Sequence, residues 1–560
     1  KWLEENKLET QATAEEALNY FITKYKLEKY SLEDAKKIIA IRYGIQQNGY
    51  SAMRGYEISS NISNNSVAQF EEMNNNFPGI SIDYKPIRKY YYGSLASHSL
   101  GYVGKINSEE YKNNTGYSLD DYIGRTGIEY VCEKFLRGTD GIKQTDMSID
   151  GTTTGEYILK EAIAGSNVVL TIDAKVQQVA EKSLQTNIQK INNGEFGEKR
   201  NVETGAAVVL NVKTGEVIAM VSYPDFEPQL FVDGISTEKW QEYTQKDKSA
   251  LINRAMQSAY APGSIFKMIP AIAGLETNKI TKNEQIECTG IYQKGYKPKC
   301  WYYTTYGRGH GMLTVAQAIQ KSCNCFFYEV GTRIGISTIE EYATYFGLGQ
   351  KTNIELPGEI SGTLAGKKLY DKLGETWYYG NTLSAVIGQA ENNFTPLQMA
   401  RYIAMLTNGG KQVDVSIIKE VINPEGEKID KQEIESYVDE KLGIEKTNTQ
   451  DLEIKKENLD TILEGMQSVT EEGGTAYSIF KNFDIQIGGK TGSAEAGDKT
   501  NAWFVGFAPY EDPEIAVVVF VENGSHGYYS AEVTKEIMEA YFGLNDSIEE
   551  NKEILPYVNN

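Results

Sequence analysis

Two β-rich passages, separated by a long helix-forming stretch, restrict what this chain can fold into more than any other feature. GAAVVLNVKTGEVIAMVSYPDF occupies 205 to 226, and IQIGGKTGSAEAG, NAWFVGFAP and EIAVVVFVEN lie between 485 and 523. These runs are short, rich in β-branched and aromatic residues, and bounded by Gly, Pro and Asn, so they read as strands. Lys213-Thr214-Gly215-Glu216 turns the first passage into a hairpin. Such strands need partners, and those of the first passage find them in the last. The expected fold class is α+β: one antiparallel sheet completed by the two ends of a domain, with the helix-rich middle packed beside it. VVLTID (168 to 173), a strand leading into the amphipathic AKVQQVAEKSLQTNI, marks where that domain starts, and a helical stretch at 530 to 542 closes it.

A length of 560 residues exceeds one ordinary core. The first 165 residues are polar, rich in Tyr and Asn, and broken by Asn48-Gly49 and Phe77-Pro78-Gly79, which suggests a small α+β module of their own. Within it SLEDAKKIIAIRYGI (31 to 45) reads as a capped packing helix. The expected division is 1–165, 166–545 and a tail, 546–560. VDVSIIKEVINPEGEKI (413 to 429) reads as a hairpin turning at Asn423-Pro424-Glu425-Gly426, and the acidic stretch behind it, to about 460, as a solvated surface insertion. With 77 acidic against 56 basic residues the formal charge is −21, which repels nucleic acid and anionic lipid. No run of 18 apolar residues is available to span a membrane.

Three short motifs carry the chemistry. In AYAPGSIFKMIPAIAGL, Pro262-Gly263 turns the chain into an apolar helix, so Ser264 and Lys267 lie one turn apart on one face. A serine hydroxyl becomes a nucleophile when a base takes its proton, and a lysine is that base when burial and neighbouring charge keep it neutral. Ser322-Cys323-Asn324 follows 58 residues on (322 − 264), and Lys490-Thr491-Gly492-Ser493 a further 168 (490 − 322). Singly each is weak, and the KTG at 213 is a hairpin turn. In order, S-x-x-K, S-x-N and K-T-G form the set found in penicillin-binding proteins and serine β-lactamases.

On these motifs the chain resembles the class B penicillin-binding proteins of the elongation and sporulation type, from about residue 25 to 545. GRTGIEYVCEKFLRGTDG (124 to 141) is similar to a stretch of that family's N-terminal pedestal module. GQAENNFTPLQMA (388 to 400), GMQSVTEEGGTA (465 to 476) and WFVGFAP (503 to 509) are similar to landmarks of its transpeptidase domain. Ala390 stands where the family usually has Gly. The resemblance implies a peptidoglycan D,D-transpeptidase that needs no cofactor for catalysis. Ser264 is then the nucleophile and Lys267 its base. Ser322 and Lys490 relay a proton, Asn324 positions the substrate amide and Lys267, and the N–H groups of Ser264 and Ser493 form an oxyanion hole. Thr491, Gly492 and Ser493 line the substrate site, where Thr491 and Lys490 hold a terminal carboxylate. The implied partners are stem peptides, β-lactams and a separate glycosyltransferase, with no nucleic acid. The implied location is the outer face of the cell membrane, through an anchor absent from this chain. A D,D-carboxypeptidase or β-lactamase with the same acyl-enzyme, and a non-catalytic scaffold or β-lactam sensor, are the alternatives. About 170 residues before VVLTID disfavour a lone β-lactamase, and the intact triplet disfavours a dead scaffold.

Four of five cysteines, Cys288, Cys300, Cys323 and Cys325, and one of three histidines, His310, fall between 288 and 325. A structural zinc, a disulfide such as Cys288 to Cys300, and free buried thiols all fit this composition. The family resemblance, with Cys, Cys-Trp, His-Gly and Ser-Cys-Asn in the same order, favours Cys288, Cys300, His310 and Cys323 as a zinc set, Cys325 being the alternate. Cys132 reads as core, and His98 and His526 as surface or cleft-rim residues.

Overall fold

The structure, a computed structural model, describes residues 6, 11–47, 56–60, 62–73, 80–82, 84, 86–118, 121–147, 153–246, 248–445 and 452–544. The chain forms two compact units, Lys1–Pro86 with Lys143–Leu159, and Ile87–Ile142 with Lys160–Asn560. Segment 87–142 therefore folds with the C-terminal part of the chain. In the first unit, α1 (Ala14–Tyr25) opens on a Thr13/Glu16 capping box. Helix α2 (Leu32–Gln47) opens where expected, with Ser31 Oγ accepting from the Asp34 N–H at 3.1 Å. Asn48-Gly49 and Phe77-Pro78-Gly79 lie outside the described residues.

The second unit runs through β1 (Asn167–Leu170), α3 (Ala174–Asn193) and the hairpin β2 (Gly205–Asn211) to β3 (Val217–Tyr223). The helical middle includes α4 (Met268–Glu276), α5 (Val315–Gln320), α6 (Asn324–Ile334) and α7 (Pro396–Thr407). After it come β4 (Ile418–Ile422), α8 (Lys431–Leu442), α9 (Lys456–Thr470), β5 (Gly488–Ala496), β6 (Lys499–Ala508), β7 (Ile515–Val521) and α10 (Gly527–Phe542). The sheet is antiparallel in the order β5-β6-β7-β2-β3, so the two ends meet at β7 and β2, Val518 opposite Val208. Every residue of β7 is buried, which requires cover on both faces. Helices α3, α7 and α10 pack on the sheet. The fold class is α+β, as expected.

Two features go beyond the expectations drawn from the sequence. Strand β1 pairs with β4 and stays out of the main sheet. The turn at Asn423–Gly426 forms, with the Ile429 N–H reaching Val421 O at 2.8 Å, but the main partner of β4 is β1, 248 residues earlier (418 − 170). The stretch after 429 is also more than a solvated insertion. It folds into α8, capped by Asp430, and buries Ile434 and Val438, with Tyr437 edge-on to Phe135 at 5.2 Å.

Outer strand β3 would expose unpaired backbone groups. Buried Gln177 of α3 meets them, donating to Met220 O (3.0 Å) and accepting from Met220 N (2.8 Å), while Asp173 N donates to Ile218 O at 2.9 Å. The edge is thereby closed by side chain and loop instead of by a further strand.

Ala390 has φ 59°, a left-handed conformation that costs a residue with Cβ about 1 kcal/mol relative to glycine. Ala390→Gly is expected to stabilise the protein by roughly that amount, read as a higher urea midpoint.

Candidate active site

The first motif is fixed from three sides. Tyr260 and Phe394 exchange backbone hydrogen bonds (3.0 and 2.9 Å), Trp503 Nε1 donates to Ala261 O (2.9 Å), and Gly263 N donates to Gly388 O (2.9 Å). Gly388 (φ 77°) has to be glycine, because a Cβ there would lie 2.1 Å from Gly263 O. Gly263–Phe266 then form a 3-10 turn that continues into α4, whose residues Met268 to Leu275 are all buried. Ser264 is left half-buried, while Lys267 is drawn wholly into the interior.

The second motif sits in the turn from α5 to α6. Ser322 has φ 52°, a strained conformation for a residue with a side chain. That bend aims its hydroxyl between two amines, with Lys267 Nζ at 3.3 Å and Lys490 Nζ at 3.0 Å. Lys267 Nζ also donates to Ser322 O (2.9 Å) and Asn324 Oδ1 (2.6 Å), and Lys490 Nζ to Thr491 O (2.9 Å). Burial pushes the Lys267 pKa down to about 8. Burial, and then repulsion from Lys267, holds Lys490 well below the ordinary lysine range.

The third motif lies on β5 against the first. A Cβ on Gly263 would meet Ser493 O at 3.0 Å, and one on Gly492 would meet Ile265 and Pro262 O at 3.0 Å. The two segments touch backbone to backbone beside Ser264. Ser493 Oγ accepts from Gly527 N at the start of α10 (3.2 Å). The structure thus gathers Ser264, Lys267, Ser322, Asn324, Lys490, Thr491, Gly492 and Ser493 into one site. Ser264 Oγ makes no hydrogen bond among the described residues, so this half-buried hydroxyl remains free for a substrate. The arrangement can move a proton from a serine hydroxyl and place an anion beside a lysine amine and hydroxyls.

A second cluster adjoins it. All five cysteines are buried and none forms a disulfide in the structure. The ligand atoms of Cys288, Cys300, His310 and Cys323 lie within 4.8 Å of one another, a set able to hold a metal. His310 Nδ1 is 3.6 Å from both Cys288 Sγ and Cys300 Sγ, Nε2 is buried without a partner, and Tyr302 stacks on the ring at 4.3 Å. Burial works to lower the His310 pKa, yet hydrogen bonds to the two thiols raise it to about 9. Cys325 is buried beside the same thiols but outside the four-atom set. The clustered loop reaches the active site through Trp301, whose Nε1 donates to Ser322 O at 3.0 Å. Trp301, quoted in the sequence as part of Cys-Trp, has no role legible there, although its place directly after Cys300 is a usable signal. Cys132 is core, as expected. His98 is a half-buried cavity-lining residue, as the cleft-rim reading allowed: it lines a pocket with Arg125, Phe226 and Gln257, its Nε2 meets Ala250 O at 2.7 Å, its ring packs edge-on to Phe226, and burial lowers its pKa to about 4.

A sheet closed from the two ends of the domain around this serine and lysine pair defines the class of serine acyltransferases built on the transpeptidase fold. The family described as the penicillin binding protein transpeptidase domain matches residues 205–541, and the penicillin-binding protein dimerisation domain matches 3–170. The chain is 30% identical to the peptidoglycan D,D-transpeptidase MrdA of Acinetobacter baumannii, over 86% of this chain and 70% of that protein. The structure of Pseudomonas aeruginosa PBP2 in complex with WCK 5153 is 31% identical, with TM-score 0.67, covering 83% of this chain and 94% of that one. A structure described as the coordination of polymerization and crosslinking by a peptidoglycan synthase complex is 28% identical, with TM-score 0.72, covering 90% and 85%. The chain belongs to the class B penicillin-binding protein family. It is an enzyme, a peptidoglycan D,D-transpeptidase, in the group of cell-shape and wall-synthesis proteins.

Proposed function

We propose that Ser264 attacks the carbonyl between the two terminal D-alanines of a stem peptide while Lys267, in its neutral form, takes the hydroxyl proton. The observation that carries this reading is Ser322 Oγ, held between the buried amines of Lys267 and Lys490 next to the first motif. That hydroxyl is the bridge over which the proton passes toward the leaving nitrogen, so D-alanine departs as a neutral amine. The oxyanion is met by the N–H groups of Ser264 and Ser493. Lys490 and Thr491 hold the terminal carboxylate beside Gly492, and Asn324 holds the substrate amide and Lys267. An amine of a neighbouring stem peptide then takes the acyl group and forms the cross-link. Water in place of that amine gives the carboxypeptidase outcome, and rapid D-alanine release without an acceptor would favour it. β-Lactams acylate the same serine.

We further infer that the Cys288, Cys300, His310 and Cys323 set binds a structural zinc. Zn–S near 2.3 Å and Zn–N near 2.05 Å in a tetrahedron give S to N edges of about 3.5 Å, against 3.6 Å here. The ion would clip the 288–310 loop onto the turn that carries Ser322 and would take no part in the chemistry. Residues 1–165 serve as pedestal, with 87–142 of them folded together with the C-terminal unit, 166–545 as transpeptidase domain and 546–560 as tail. The enzyme works on the outer face of the membrane, held by an anchor, alongside a separate glycan polymerase. Among the described residues no helix is long and apolar enough to cross a membrane.

Fluorescent penicillin is expected to label the native protein and leave Ser264→Ala unlabelled on a denaturing gel; equal labelling would remove Ser264 as nucleophile. Because the neutral amine is the active form and the Lys267 pKa lies at about 8, acylation should rise about tenfold per pH unit below pH 7 and level off above about 9. A rate that falls over that range would contradict the base assignment. Protein purified without added zinc should carry about one zinc per chain, and Cys288→Ser should abolish it. No metal together with two missing thiols would sink the zinc reading.

A further inference from the structure

The loop between α9 and the short helix Tyr477–Phe480, reading Glu471-Glu472-Gly473-Gly474-Thr475-Ala476, has no part in the chemistry so far, yet it reaches the third motif directly. Thr475 Oγ1 lies 2.8 Å from Thr491 Oγ1. The loop is held in shape from inside and outside. Gly474 N donates to Glu471 O and Ala476 N to Val469 O (2.9 and 3.0 Å), and a Cβ on Gly474 would lie 2.2 Å from Val469 O. Lys321, the neighbour of Ser322, donates from Nζ to Gly473 O at 2.6 Å, and Gln320 Nε2 donates to Glu472 O at 3.4 Å. Thr475 is thus fixed to the turn of the second motif while its hydroxyl touches the third.

We propose that Thr475 is a positioning residue for recognition of the donor's terminal carboxylate, and this rests on Thr491 holding that carboxylate. Thr491 Oγ1 has one proton to give. A carboxylate is the stronger acceptor, so Thr491 donates to it and accepts from Thr475, whose hydroxyl has no other partner among the described residues. The chain then runs one way, from Thr475 O–H to Thr491 Oγ1 and from Thr491 O–H to the carboxylate. Each donation strengthens the next, because an oxygen that accepts a hydrogen bond gives up its own proton more readily. It also fixes the Thr491 hydroxyl rotor before the ligand arrives. A neutral terminus gains much less, having no charge for the relay to meet.

The test compares acylation by a chromogenic penicillin and by its methyl ester in the native protein, Thr475→Val, Thr475→Ser and Thr491→Val. Thr475→Val is expected to slow acylation by the free acid about tenfold, the worth of one hydrogen bond in a charged relay. The loss should fall on the concentration for half-saturation and leave the saturated rate within about twofold, with the ester rate similarly unmoved. Thr475→Ser should restore the acid rate. Equal losses for acid and ester would mean that Thr475 merely supports the loop, and no loss for either would remove it altogether; both overturn the proposal. Thr491→Val separates the two levels. If it erases the preference for the acid while Thr475→Val keeps it, the proposal fails and the assignment of Thr491 stands. If Thr491→Val keeps the preference too, the assignment itself fails.

Discussion

Two lysine amines buried about one serine hydroxyl are the constraint on which the rest of this site depends. Burying even one ammonium ion costs several kcal/mol unless it is partnered or neutralised. Here Lys267 and Lys490 are each fully buried and share Ser322 Oγ. Three oxygen acceptors meet Lys267 Nζ and two meet Lys490 Nζ, so hydrogen bonds are available while full charge on both is not. The wholly buried face of α4 drives Lys267 inward, and the strained φ of Ser322 brings the hydroxyl to the amines. Strain and desolvation of this kind survive only where the surroundings over-determine them.

The surroundings come from distant parts of the chain. Gly388 and Trp503 brace the first motif, Trp301 and Lys267 share the carbonyl of Ser322, and β5 lies flat against the turn that carries Ser264. None of these contacts is local in sequence. A lysine pKa near 8 is therefore a property of the whole second unit, since it requires dry walls contributed by the helices and the sheet together.

What could be read in the sequence was what is periodic or ordered: the strands at both ends, the hairpin at 213 to 216, the cap at Ser31 and the succession of three motifs. The register of β1 was not legible, because VVL is equally good in a main sheet and in a two-stranded ribbon, and only its pairing with Ile418–Ile422 decides. Helix α8 was hidden by its charge: two buried apolar residues, Ile434 and Val438, are too few to stand out among lysines and glutamates. Gly388 could be quoted as a landmark but not explained, since its reason is a carbonyl oxygen 125 residues away (388 − 263). Thr475 and Trp301 stand within stretches that could be quoted, GGTA and Cys-Trp, but their hydrogen bonds to Thr491 and to the Lys321 and Ser322 carbonyls join segments far apart in the chain and could not be read there.

The closure of the sheet also sets a timetable. Strand β2 finds its inner partner in β7, which begins 304 residues beyond the end of β2 (515 − 211). At about 5–20 residues per second, a nascent chain extends for roughly 15 to 60 s with the β2–β3 hairpin presenting an apolar, unpaired rim. Through that interval the hairpin is an adhesive edge that must be shielded. The last strands are consequently the step at which a sticky half-sheet becomes an enzyme, and a chain truncated before residue 515 keeps the hazard without the site.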